Sequence, residues 1–229
     1  MERFKGFPPQ SIPFLSDLAH NNNREWFANN KHHYEASIRE PSLAFIEEMA
    51  PKLQSISSQF HAIAKKSGGS LMRVYRDTRF SKDKTPYKTN VGIQFRHILG
   101  KDVHAPGFYL HIEPGECFLG AGIWHPESKT LAKIRNFIVD NPAAWQAALA
   151  ETPFRNSFQL VGSSLVRPPK GFPADHPLIE DLKRKDFIAL KAFDCEQILK
   201  PTFCNFVIKG FRQTDLLMSY LCAAVEVNY

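Results

Sequence analysis

The chain has 229 residues, 43% hydrophobic and 23% charged, with a formal net charge of +6. That length buries a core without disulfide or metal staples, and 12% aromatic residues with 19 Phe exclude a disordered chain. No apolar run approaches the roughly 18 residues of a membrane-spanning helix, so no membrane partner is expected.

The opening Met1-Glu-Arg-Phe-Lys-Gly-Phe lacks the apolar stretch of a secretory signal. The first third then reads as helices. Ser11 is placed to cap a short helix through Phe14, Leu15 and Leu18, and Asn23 to cap a second, with Glu25 in its first turn. Trp26, Phe27, Tyr34 and Ile38 recur at helical spacing until Pro41, which is expected to stop that helix. Phe45, Met49, Leu53 and Ile56 predict a third helix, kinked or broken at Pro51.

The middle third reads as sheet. Leu71–Arg76 predicts a short strand leading into a charged loop with Pro86. Val91, Ile93 and Phe95 alternate with Gly92, Gln94 and Arg96; Phe108, Leu110 and Ile112 alternate with Tyr109, His111 and Glu113. Cys117, Leu119, Ala121 and Ile123 alternate with Phe118, Gly120, Gly122 and Trp124, and Glu113-Pro-Gly-Glu116 supplies a turn. Period two across these runs predicts an antiparallel meander. The last third returns to helices: a stripe of Leu131, Ile134 and Ile138, a start at Pro142, and a C-terminal helix capped by Thr214. Gly162–Pro177 reads as an ordered loop or hinge, and Asp186–Phe193 as one more strand. The expected fold is one α+β domain spanning 1–229, an antiparallel meander with helices packed mainly on one face.

The four cysteines, Cys117, Cys195, Cys204 and Cys222, fit no C-x-x-C or zinc spacing. They are read as reduced, mostly buried thiols of a cytoplasmic protein.

The charge is uneven. Between Arg73 and Lys101 stand eight basic residues (Arg73, Arg76, Arg79, Lys82, Lys84, Lys88, Arg96 and Lys101) against Asp77 and Asp83, which accounts for the whole net charge. A basic block on a neutral background points to an anionic, phosphate-bearing partner bound at one place. If the chain turns after Arg76, then Arg73, Arg76 and Arg79 converge as planar forks on phosphate or carboxylate. Lys84, Lys88 and Tyr87 add to such a site; Asp77 and Asp83 orient the arginines or hold a metal ion together with phosphate oxygens. The alternatives are a nucleic-acid backbone as partner, with Tyr75, Phe80, Tyr87 or Tyr109 stacking on bases, and a non-catalytic protein-interaction module, in which the arginines and aspartates form an internal ion network holding the loop and aromatics such as Trp26 or Trp124 contact a partner protein.

Strand parity marks a second candidate. The face opposite the apolar one carries Gln94, Arg96, Tyr109, His111, Glu113, Gly120 and Gly122, and the glycines would leave room for close approach to the sheet. His111 and Glu113 share that face, as general acid–base work requires, although a solvent-facing sheet with ordinary polar residues reads the same way. Gly120-Ala-Gly122 is no dinucleotide fingerprint, Gly162-Ser-Ser164 no nucleophile elbow, and the histidines show no ligand spacing. No cofactor is indicated. The Asp181–Asp186 charge run reads as solvated surface or as a second arm of an anion site.

The run Arg73, Arg76, Asp77, Arg79, Phe80, Asp83, Lys84 and Tyr87 resembles the pattern R-x-x-R-D-x-R-F-x-x-[DN]-K-x-x-Y of DUF2461, a bacterial family of conserved hypothetical proteins. Phe14-Leu15, the Asn22–Phe27 segment, Lys31 and Tyr34, Ala105–Leu110, Gly120–Trp124 with Pro126, and Asp181–Asp186 are similar to its other segments. The resemblance covers nearly the whole chain and implies one domain of bacterial type. It carries no catalytic assignment.

Overall fold

The computed structural model describes residues 4–100 and 105–229. Lys101 of the basic block and the first three residues lie outside them. Helices α1 (Ser11–His20), α2 (Arg24–Asn29), α3 (Lys31–Tyr34) and α4 (Glu40–Gln54) come first. Strands β1 (Phe60–His61), β2 (Val91–His97), β3 (Gly107–Glu113) and β4 (Glu116–Ile123) follow. Then come α5 (Ser128–Asp140), α6 (Pro142–Ala150), α7 (Thr152–Arg155), β5 (Gln159–Val161), α8 (Ile179–Leu182), β6 (Phe187–Ala192), α9 (Phe203–Arg212) and α10 (Asp215–Ala224).

The six strands form one sheet in the order β1-β2-β3-β4-β6-β5, every neighbouring pair antiparallel. This is the expected α+β meander. The turn predicted at Glu113–Glu116 joins β3 to β4 with those two residues paired. The short strands β1 and β5, which no alternating pattern announces, close its two edges.

One face carries the core. Ile93, Phe95, Phe108, Leu110, Leu119 and Ala121 are fully buried beneath α9 and α10. The Phe211 ring lies 6.0 Å from Phe95 and 4.6 Å from Phe108. Gly210 lets α9 come this close: a Cβ there would collide with Leu119. At the other end Trp145 is fully buried against Phe187, 5.9 Å away, and Tyr220, 5.3 Å away. A ring of that size excludes enough apolar surface to contribute roughly 3 kcal/mol or more to folding.

Several local expectations are corrected. Pro41 does not stop the helix. A π-helical turn over Glu35–Arg39, closed by the Glu40 amide on the Glu35 carbonyl, joins α3 to α4 and takes Pro41 into the first turn of α4. Proline has no N–H to return to the Ser37 carbonyl four residues back. The Ser11 hydroxyl donates to that carbonyl instead, at 2.7 Å. Ser11 is therefore a buried tie between α1 and the π-helical turn that leads into α4, and Gln10 holds the N-cap position without a side-chain bond. Pro51 sits inside the last turn of α4 without breaking it.

Asn23 caps α2 as expected, accepting from the Trp26 amide at 2.9 Å. Thr214 stands at the start of α10, but its hydroxyl donates back to the Phe211 carbonyl at 2.7 Å. Leu71–Arg76 forms no strand. Its contacts are isolated bridges, Leu71 to Ile93 and Tyr75 to Tyr87, because the chain leaves the edge of β2 to make a separate loop.

The reading of four reduced thiols also fails. Cys117 at the start of β4 and Cys195 after β6 are joined as a disulfide, their Cα atoms 5.6 Å apart. The two residues are 78 apart in sequence, and only the pairing of β4 with β6 brings them together. Cys204 and Cys222 are free and buried. Among the described residues no helix is long and apolar enough to cross a membrane.

Candidate functional site

The motif from Arg73 to Lys88 is a loop with a tight neck. The Arg76 amide donates to the Pro86 carbonyl at 2.9 Å and the Lys88 amide to Val74 at 2.7 Å. The Asn22 side chain holds both backbone groups of Tyr87, at 2.9 and 3.0 Å, and the Tyr87 ring stacks on Phe27 at 4.1 Å. Tyr87 is thereby buried as an anchor.

Inside the loop the inner arginines are taken. Arg76 pairs with Asp83 and with the Thr85 hydroxyl, which also donates to Asp83 at 3.0 Å. Arg79 grips Asp77 with two parallel bonds of 2.9 and 2.7 Å. The Lys84 ammonium donates to the Thr78 carbonyl at 2.9 Å. Hydrogen bonding from Arg76, helped by the Thr85 amide and hydroxyl, holds the Asp83 carboxyl at about 2, and the Arg79 guanidinium lowers Asp77 likewise. Arg76 borders a cavity of about 350 Å³, while the Arg79 side chain is 76% exposed on the outside of the loop. Beside it Phe80 is 95% exposed. Both aspartates therefore serve arginines, and no group of three or more metal-ligating side chains occurs among the described residues.

The sheet face opposite the core forms the wall of a larger cavity, about 760 Å³, where an open solvated face was the plainer expectation. Volumes of this order hold small organic ligands. Its apolar walls include Met72, Phe118, Trp124, Ile188 and Leu190, and its cationic groups are Lys88 and Arg96. Arg96 donates to Gln94 at 3.1 Å. The Lys88 ammonium has no hydrogen bond or carboxylate among the described residues; partial burial and the nearby Arg73 lower its proton affinity.

Tyr109, His111 and Glu113, on alternate positions of β3, form a chain along this wall. Glu113 accepts from His111 Nε2 at 3.0 Å, and the Tyr109 hydroxyl lies 3.2 Å from His111 Nδ1. The Asn90 amide approaches the same nitrogen at 3.4 Å, and the Thr89 hydroxyl donates to Glu113 at 2.6 Å. The imidazole lies flat on Phe118, 4.5 Å away at 5°. Burial, reinforced by the Glu113 charge, pushes the Tyr109 phenol up to about 12, so it stays protonated.

The expected room above the glycines is occupied by the chain itself. A Cβ on Gly120 would stand 3.3 Å from Leu190 and 3.4 Å from Tyr109, and Gly122, at φ +127, faces the Phe187 carbonyl. Of the sequence candidates, then, Lys88, Arg96, Tyr109, His111 and Glu113 gather along the sheet wall. Arg76, Asp77, Arg79, Asp83 and Lys84 are spent within their loop, and Tyr87 is an anchor.

One cluster escaped the sequence reading. Asp186, with a 2% exposed side chain, accepts from the His125 amide (2.9 Å) and from the Ser163 amide and hydroxyl (3.0 Å each). His125 Nδ1 is 3.1 Å from the same carboxylate, which fixes an exposed imidazole whose backbone is left-handed at φ 51. Burial alone would raise the Asp186 carboxyl, but these hydrogen bonds outweigh it and hold it low. His125 and Asp186 lie 61 residues apart, so no local motif joins them; the only hint was Asp186 at the head of a strand. Trp124, Glu127 and Gly162 beside them line the large cavity, so the cluster pins its rim.

Residues 10–220 match the model of a family described as Conserved hypothetical protein (DUF2461), and the chain belongs to that family. No curated protein and no solved structure matches it.

Proposed function

We propose that the protein binds a small organic anion, bearing phosphate or carboxylate, in the cavity over the open face of its sheet. One observation carries this reading: Lys88, half-buried on the cavity wall, has no carboxylate among the described residues. A lysine in that position is destabilised by lost hydration until an anion compensates it. Arg96 and the Asn90 and Gln94 amides add donors on the same wall, and Met72, Phe118 and Trp124 offer apolar contact to the rest of the ligand. The anion-binding role expected of the whole Arg73–Lys88 motif thus narrows to its last residue, with the arginine–aspartate pairs bracing the loop that delivers it.

A thermal-shift series tests this, using inorganic phosphate, sugar phosphates, nucleotides and aromatic carboxylates, with and without Mg²⁺ or Mn²⁺. An anion at 100 times its dissociation constant stabilises the fold by about 2.7 kcal/mol. The expected hit disappears in Lys88→Met. A panel with no hit, or a hit that survives Lys88→Met unchanged, rejects the reading.

A second reading, binding of single-stranded nucleic acid, is favoured by Phe80. Its ring is exposed at a loop tip beside Arg79, Lys82 and Lys84, a combination suited to base stacking on a charged backbone. Its test is oligonucleotide binding that weakens steeply with salt and is lost in Phe80→Ala. Affinity that is flat with salt, or intact in Phe80→Ala, rejects it.

A further inference from the structure

We propose that Tyr109, His111 and Glu113 make the cavity a general-acid site, in which an anion is bound together with a proton taken up at His111. The inference rests on the anion reading above and adds the proton.

A count of hydrogens fixes the direction of each bond in this chain. A phenol has one O–H, and a neutral imidazole has one N–H. Glu113 accepts from Nε2 of His111, which places the neutral ring's hydrogen there and leaves Nδ1 a bare acceptor. The Tyr109 hydroxyl, 3.2 Å from Nδ1 and nearer to it than the Asn90 amide at 3.4 Å, then spends its only hydrogen on the ring. In this state the cavity meets the lone pairs of the phenol oxygen, which repel an anion.

Protonating His111 reverses the direction of that bond. Nδ1 gains an N–H and donates to the Tyr109 oxygen, and the phenol hydrogen turns toward the cavity. Transfer then balances simply: Tyr109 gives its proton to an oxygen of the bound anion, Nδ1–H replaces it on the phenol oxygen, and His111 returns to neutral. No other reactant is needed. Glu113 stabilises the imidazolium, and its own side chain is 30% exposed against 12% for His111, so the chain runs from the buried cavity wall toward solvent.

The surroundings leave His111 as the group that responds. On its own strand it faces Tyr109 and Glu113. From β4 it faces the Phe118 ring, and from the segment before β2 Asn90, neither of them charged, while Thr89 donates to Glu113. Its partner across β2 is Gly92. Lys88, Arg96 and Glu127 share the cavity as charged groups and set the affinity that does not vary with pH, and His97, a second histidine on its lining, is buried with Nε2 on the Asn228 carbonyl and Nδ1 accepting from the Leu99 amide. The ligand class that fits is a weak organic acid, or a substrate on which negative charge develops at an oxygen.

The test is calorimetry of benzoate and phenyl sulfate binding to the full chain, both probes being fully ionised from about pH 5.5 to about pH 8, the range in which histidine titrates. Buffers of different ionisation enthalpy report proton uptake. The wild type is expected to bind about tenfold more tightly at the acid end, with a proton taken up. Tyr109→Phe keeps the weaker affinity and loses most of the acid gain, and His111→Gln binds equally at both ends. Glu113→Gln moves the gain to lower pH, and melting temperatures of the variants check that each is folded. Binding without pH dependence, or a dependence that survives in His111→Gln, overturns the proton relay and leaves the anion site standing. No binding of either probe at any pH overturns both.

Discussion

In the loop, each inner arginine is met by an aspartate, Arg76 by Asp83 and Arg79 by Asp77, whereas on the cavity wall Lys88 and Arg96 meet no carboxylate among the described residues. The loop is the denser of the two in sequence and looks the more reactive. Its charges are nonetheless mutually satisfied, and ion pairs of this kind hold geometry more than they attract a third party. The wall has fewer charges, but Lys88 among them is partly desolvated and uncompensated, which is the condition under which a ligand gains most from arriving. Charge available to a partner, and not charge present, separates the two regions.

The largest effect should come from breaking the wall. Lys88→Met is expected to weaken anion binding by at least about tenfold, the loss of one charge-assisted hydrogen bond. The melting temperature of the free protein should hold or rise, because an unpaired half-buried charge is removed. Calorimetry and a melt on the same sample check both. A fall in stability with no change in affinity would make Lys88 a structural residue and erase the contrast with the loop.

Arg76→Ala breaks the loop in the complementary way. Asp83 and Thr85 lose their common partner, and the expected cost is a fall of about 2–4 °C in melting temperature, with anion affinity nearly unchanged. An affinity loss as large as that of Lys88→Met would show that the loop arginine reaches the ligand after all.

Acid sharpens the same point. The Asp83 carboxyl is held at about 2, below its unfolded value of 3.8, so the pair adds stability above about pH 4 and loses it as pH falls toward 2. With Asp83 56% exposed the contribution is small. The difference in melting temperature between wild type and Arg76→Ala should shrink between about pH 5 and pH 2, an interval well below that in which His111 is proposed to act. A difference constant with pH would mean that Arg76 stabilises the loop through Thr85 alone.

Much of the fold was legible because period two survives wherever one sheet face is buried. The runs around Ile93, Leu110 and Leu119 announced β2 to β4, and parity alone placed Tyr109, His111 and Glu113 together on the other face. What was not legible depends on long-range partners. Pro41 fails as a helix stop because Ser11, thirty residues earlier, reaches the carbonyl it orphans. Cys117 and Cys195 meet only through the β4–β6 pairing, and Asp186 finds His125 and Ser163 across three separate segments. The loop misled for the same reason: a spacing of three between arginines says nothing about which aspartate each will find.

The smallest effect belongs to Arg79→Ala. Its guanidinium is three-quarters exposed, its two bonds run to an aspartate two residues away, and its ring contact is with Phe80, itself in solvent. A local pair of this kind closes almost no chain entropy, and both groups regain water when it opens. Melting temperature and benzoate affinity should therefore match wild type within measurement error. The variant is most informative with oligonucleotides, where loss of Arg79 removes a cation from beside the exposed ring. If single-stranded binding weakens while benzoate binding does not, loop and wall serve different partners, and the arginine–aspartate pair holds Phe80 in place for the first of them. If neither changes, the pair is surface bracing, and anion recognition begins at Lys88.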